Sequence, residues 1–496
     1  MKHAITATIL VAVLSVAAVH NKAIAQQPDA IYKTVKHEWI VTSDTTSDYH
    51  YRHEIKILRN RALTGYADKG ETFVTYNPAI EQLQINEVYT LRADGSKVEM
   101  PQNAFIEQLP SNCTDCGRFN QLREMVMVHT GMEYNCIVVV DYTLHRKYGL
   151  VNQTLNLIKD CPIENLEVNI SVPSTQELNV KMNNPGYLTF TPTVKSGTTS
   201  YSLKAKDVPQ SYVDSYLPPY DQLYPTLHFY NGVAQFTPDF NQEGLPEAEQ
   251  TINRLLNSSN PATNITAIGN FVVSNIHLND IAPSMLGYTH ATAQEVWQSV
   301  CGTATDKAVL LSALLNQYGY NAHVSGNHSD KVSVMIDTME YVFDIRKRNS
   351  LMLNGEAKDE VVDIKETITD TARLDTITEG FYRYIIPAIK GEPSVKATNL
   401  AITRTAPLMG QACHIEQTLT VVLPKGVKLV GKAIDRSSSS PNIGASSIKI
   451  KQSGKKLIIE RTLNIEKSII TAEDYKAYRN VITNWQSLDT LLLHTK

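Results

Sequence analysis

Basic excess and metal-type clusters are what this chain lacks, and tryptophan is scarce. Lys+Arg 46 against Asp+Glu 50 leaves a formal net charge of −4, and no basic patch stands out, so nucleic acid is not an expected partner. Beyond the amino terminus no stretch approaches the roughly 18 apolar residues of a membrane helix, and the chain is not expected to span a membrane. His290, His323, His414 and Glu295 fall in no ligand spacing; neither a metal nor a cofactor is expected. No internal repeat occurs. Trp 3 and Phe 10 stand against Tyr 24, a balance that suits strand-rich domains with half-buried faces.

At 496 residues the chain has room for two to four domains with ample cores. Its start reads as a processing segment: Lys2 and His3 precede a small-apolar run from Ala4 to Val19, and Ala23-Ile24-Ala25 has the small-x-small form of a cleavage site. Cleavage after Ala25, giving a signal peptide of residues 1–25, implies an exported, periplasmic protein. Export permits disulfides among Cys113, Cys116, Cys136, Cys161, Cys301 and Cys413. Cys113 and Cys116 form a C-x-x-C that could be redox-active, half of a zinc site or a staple. A structural disulfide is expected, within the pair or to Cys136 or Cys161.

From Ile31 to about Tyr216 strand follows strand. Tyr49–Leu58, Glu71–Tyr76, Leu83–Leu91 and Lys97–Met100 alternate or carry β-formers, with an Asp94-Gly95 hairpin turn between the last two. This spacing predicts an antiparallel β-sandwich over residues 31–216. Residues 217–245 continue a Tyr- and Pro-rich stretch that reads as an ordered linker; Tyr clusters also make platforms for peptide or sugar. From about Pro246 the period turns helical, in Glu247–Leu256 and Ile265–Ile276. Lys347–Asp370 reads as surface loop. Strand pattern returns from about Ser394, with Ser437–Ser440 as a flexible turn and a helix over Ala472–Asn484.

The organising stretch is Val300–Arg346. An apolar-periodic helix begins near Thr305, its expected N-cap, and ends at Gly319; two strands, Lys331–Ile336 and Tyr341–Ile345, follow as a hairpin. This order resembles the core of the transglutaminase-like branch of the papain-like (cysteine protease) fold. That family places its nucleophilic Cys at the helix N-terminus in a Gly-x-Cys-x-Asp-Lys-Ala pattern, a His opening the next strand and an Asp ending the one after. Here the frame reads Gly302, Thr303, Ala304, Thr305, Asp306, Lys307, Ala308. The resemblance assigns the nucleophile position to Ala304, the His position to Lys331 and the acid to Asp344. Three further phrases, Tyr89–Ser96, Gly131–Tyr142 and Val172-Pro173, resemble the all-β domain of unknown function that precedes transglutaminase-like domains in exported bacterial proteins. The end of the chain resembles the β-domain that closes them.

A methyl group has no lone pair and no ionisable proton, so the resemblance implies a fold whose activity is lost. Cys301 and His328 each lie three residues before the vacant positions, and with Asp344 they form the alternative catalytic set. Three extended residues span about 10 Å, against the roughly 3 Å reach of a nucleophile and its base. The expectation is therefore an α+β protein with three domains: β-sandwich at 31–216, transglutaminase-like core at 246–370 and C-terminal β-rich domain at 394–496. Its expected function is a non-catalytic binding or assembly module for extended polypeptide or glycan. The competing expectation is a cysteine-dependent acyltransferase or amide hydrolase using Cys301.

Overall fold

From Leu166 onward every second residue of the strand Ile163–Pro173 is buried, through Val168, Ile170 and Val172; alternation across a strand turns that period of two into one core-facing surface. The computed structural model describes residues 28–495 apart from 65–68, 150, 187, 190, 196, 232–244, 326–329, 354–360, 390–391 and 393–396. The expected signal peptide at 1–25, its cleavage point at Ala25 and His328 lie outside the described residues.

The N-terminal domain is built on an eight-stranded sheet. Its spatial order is Thr191–Lys195, Thr198–Val208, Ile163–Pro173, Ala30–Ser43, Thr46–Ile57, Ile137–Arg146, Glu81–Leu91 and Lys97–Glu99. Ala30–Ser43 runs parallel to Ile163–Pro173, Tyr32 opposite Ile163, so the sheet is mixed where an antiparallel one was expected. Parallel neighbours need a long crossover, and that crossover is most of the domain. Two three-stranded sheets share its core. One of them places Thr226–Asn231 between Leu178–Asn183 and Asn152–Asn156. Leu227 and Phe229 in that strand are fully buried. The supposed linker at 217–245 thus contributes the middle strand of a sheet, because its apolar positions are packed rather than exposed.

Six α-helices occur among the described residues: α1 (Tyr220–Leu223), α2 (Glu249–Asn253), α3 (Pro261–Asn275), α4 (Ala293–Ser299), α5 (Ala304–Gln317) and α6 (Tyr475–Trp485). Helices α3, α4 and α5 pack with a four-stranded antiparallel sheet, Asn321–Val324, Lys331–Ile336, Met339–Asp344 and Met352–Leu353, around one core. The hairpin turn is tighter than expected, Ile336 pairing with Met339 and Asp337 at φ 54°. Helix α5 is buried on every side from Ala304 to Leu315, not on one face. Helix α3 approaches the sheet closely at Gly269, where a Cβ would meet the Phe343 ring at 2.4 Å.

The C-terminal domain begins before residue 394. Val362–Thr371, expected as loop, pairs in parallel with Cys413–Val422 in a five-stranded sheet, Val362 opposite Cys413. Its side chains are mostly exposed, which explains why the sequence there reads as a loop: an edge strand needs little apolar surface. The serine run is likewise a strand, Ile434–Ser440, paired with Gly444–Ser453. Helix α6 covers this sheet with Tyr475, Tyr478, Val481, Ile482 and Trp485 buried.

Candidate functional site

The N-terminus of α5 is the focus of the central domain, and local chemistry fixes it. Thr303, not Thr305, is the N-cap: its Oγ1 accepts from the Asp306 amide at 3.2 Å, and Asp306 Oδ2 accepts from the Thr303 amide at 2.8 Å. Such a reciprocal cap satisfies two of the amides that a helix start leaves unpaired. Asp306 is fully buried. Its Oδ1 also accepts from the Ala291 amide at 2.7 Å. Gly302 is required here, since a Cβ would lie 2.8 Å from that of Asp306. Lys307 is buried too, and its ammonium donates to the carbonyls of Val273 and Ile276 at 3.2 and 2.8 Å, at the end of α3. A cation there complements the carbonyl end of the helix. Burial, with Arg346 nearby, pushes the Lys307 ammonium down to about 8.

Ala304 is the first residue of α5 and is buried. Lys331 stands opposite Asp344 across an antiparallel rung, so their side chains leave the same face of the sheet. Asp344 Oδ1 accepts from the Arg346 amide at 2.9 Å, and the Lys347 ammonium lies 3.8 Å from Oδ2. The register thus unites Lys331 and Asp344.

Cys301 is joined to Cys116 in a disulfide, their Cα atoms 5.9 Å apart and 185 residues apart in sequence. The expected pairing within Cys113 and Cys116, or to Cys136 or Cys161, is thereby corrected; Cys113, Cys136, Cys161 and Cys413 are free and buried. Burial raises the Cys113 thiol, with Glu124 adding to it. In this state Cys301 offers no thiolate.

The disulfide is part of a seam that spacing along the sequence could not reveal. The loop of the N-terminal domain that carries Cys116 also sends Arg118 to Asp306, Nη1 to Oδ2 at 2.6 Å. Asn112 donates to the Asp280 carbonyl at 3.2 Å, and Asn279 donates to the Asn112 carbonyl at 2.8 Å. Phe119, Leu122, Ile281 and Leu286 pack around the sulfurs. Further along, Asn77 donates to the Met285 carbonyl at 2.8 Å and the Tyr148 hydroxyl to that of Ser284 at 3.1 Å. The N-terminal domain therefore sits on the start of α5 and supplies a cation to its capping carboxylate.

Comparison with known proteins reaches the domains and the fold. Residues 43–212 match DUF3857 and residues 382–493 match DUF3858, each a domain of unknown function with a solved structure. No curated protein matches the chain. A solved structure described as a candidate protease of Parabacteroides distasonis superposes at TM-score 0.77 with 22% identity, covering 94% of this chain and 99% of that one. Likeness at this level extends to the fold and the multidomain, β-rich architecture. An M1 zinc metallopeptidase of Deinococcus radiodurans overlaps at TM-score 0.21 with 9% identity, over 50% of this chain and 54% of that chain, which carries no argument.

Proposed function

We propose that this chain is an exported, non-catalytic protein of the transglutaminase-like branch of the papain-like fold, and that it binds extended polypeptide or glycan as an assembly module. One observation carries the reading: the helix mouth that would present a nucleophile holds the Ala304 methyl, while the neighbouring sulfur of Cys301 is bound to Cys116. Neither group can form a thiolate, and acyl transfer by a cysteine needs one. Lys331 opposite Asp344 supports the same reading, because an ammonium is a poor stand-in for an imidazole base at neutral pH. The description of the Parabacteroides protein as a candidate protease favours the rival reading, in which reduction frees Cys301 to act with His328 and Asp344.

Both readings meet in one experiment on the full chain. Fluorescently labelled casein and soluble peptidoglycan strands are titrated by anisotropy, while casein cleavage and dansylcadaverine incorporation are followed with and without reductant. Saturable binding of one polymer without turnover is the expected result. Turnover that appears on reduction and vanishes in Cys301→Ala would establish the enzyme instead, and binding of neither polymer would remove the module.

A further inference from the structure

The large sheet of the N-terminal domain opens into a cavity of about 500 Å³, within the range of small-molecule sites. Its wall is phenolic. Tyr49, Tyr51 and Tyr142 line it as a connected set, with ring centroids 6.5 Å apart for Tyr49 and Tyr51 and 5.4 Å for Tyr51 and Tyr142. Two buried histidines hold these rings, Tyr49 Oη lying 2.8 Å from His37 Nδ1 and Tyr51 Oη 3.1 Å from His53 Nδ1. Burial keeps both imidazoles neutral, pushing His53 down to about 3 and His37 well below its ordinary value. The tyrosine and histidine side of the cavity is thus aromatic and uncharged, while Lys69, Glu71 and Lys159 supply the charged groups of its lining.

One charge is left over. The Lys159 ammonium sits 5.4 Å from the Tyr32 ring centroid and 5.7 Å from that of Tyr51. No carboxylate oxygen lies within 4.0 Å of it among the described residues. The adjacent Asp160 carboxylate is engaged by Lys69. Glu71, which also lines the cavity, is exposed. Ring faces compensate a cation only partly, and this half-buried ammonium shares its nearest compensating charge, Asp160, with Lys69, so it is left short of a partner. A ligand anion would complete the pairing, and its ring would find the tyrosines. The space is too large for a bare inorganic anion.

We propose that this cavity binds a small, ring-bearing organic anion, its acid group against Lys159 and its ring on the tyrosine wall. The site lies in the N-terminal domain, with all of its lining but Tyr32 inside the matched residues 43–212, and does not depend on the reading of the central core.

The probe is anilinonaphthalene sulfonate, titrated by fluorescence into the full chain, with phenylnaphthylamine as the same ring system without the acid. One saturable sulfonate site per chain is expected. Lys159→Met should weaken the sulfonate at least about tenfold and Lys159→Arg by no more than about threefold, as loss and retention of a charge-assisted contact predict. The neutral dye should change by less than about twofold in both variants, since the ring contacts stay. An unchanged sulfonate affinity in Lys159→Met, or equal weakening of both dyes, overturns the proposal. Should Lys159→Met fail to fold, displacement on the wild-type chain decides: naphthoate must outcompete naphthylmethanol. Equal displacement by the two, or by inorganic phosphate and naphthoate, overturns it as well.

Discussion

Arg118 reaches from one domain to a carboxylate that is fully buried in another. Removing one partner of such a pair leaves the other charge buried with less compensation, which outweighs the value of the pair itself. Arg118→Ala should therefore cost roughly 3 kcal/mol in denaturant unfolding, toward the low end for buried pairs because Asp306 keeps the Thr303 and Ala291 donors. A cost below about 0.5 kcal/mol would mean that water replaces the guanidinium, as at a surface pair. Histidines make a second residue-level expectation. Burial pushes His53 down to about 3 and His129 down to about 4. In both, the unfolded chain binds a proton near pH 6.5 that the folded protein refuses. Stability is therefore intact above that pH and falls as the pH drops toward 4, by up to about 1.4 kcal/mol per unit for each group. Calorimetry from pH 7.5 to 4.5 should show a falling melting temperature, with a shallower slope in His129→Gln; a flat profile would contradict the burial of these rings.

At the scale of elements, what the sequence shows plainly is local. Gly319 at φ 80° ends α5, Gly95 at φ 87° sits in the Asp94-Gly95 turn, and the strand Lys331–Ile336 spans the run of β-formers that marks it. What it hides is set by partners far away. The largely polar strand Val362–Thr371 pairs with the Cys413–Val422 backbone, and only Val362 and Ile364 of it pack on the core, too short an apolar stripe to stand out. Thr226–Asn231 is masked by its Tyr and Pro neighbours, though Leu227 and Phe229 are core residues. Thr303 and Thr305 flank the same turn, and the Asp three residues after Thr303 is the signal that separates the N-cap from its neighbour. Of the central stretch, the helix that starts at Ala304 and the hairpin that sets Lys331 opposite Asp344 follow from local pattern, whereas the tyrosine cavity assembles from five separate segments. Packing of α3 on the sheet gives a sharp test at this scale. Gly269→Val should cost about 3 kcal/mol through overpacking against Phe343. Gly269→Val combined with Phe343→Leu should recover about 1 kcal/mol or more in a double-mutant cycle, since the two changes share one space. Strict additivity would place the strain elsewhere.

The N-terminal and central domains are joined by a seam rather than by one shared core. Each domain has its own cluster of buried side chains, and the start of α5 meets the N-terminal domain through one disulfide, one buried ion pair and a small apolar patch. Cross-linking residues 185 apart in sequence removes much of the freedom of the unfolded chain, worth typically 2–4 kcal/mol and about 5 kcal/mol in the chain-entropy limit. The seam also couples the domains, so its loss should act on cooperativity as well as on stability. Wild-type calorimetry is expected to show the N-terminal and central domains melting together. Cys116→Ser, or reductant added to the wild type, should lower that transition and split it, the two treatments giving the same trace. Cys113→Ser should leave it in place, because that thiol is free. A single unshifted transition after verified reduction would show that the ion pair and the packed side chains dock the domains without the sulfur bridge, and that Cys301 is available for other chemistry at no structural cost.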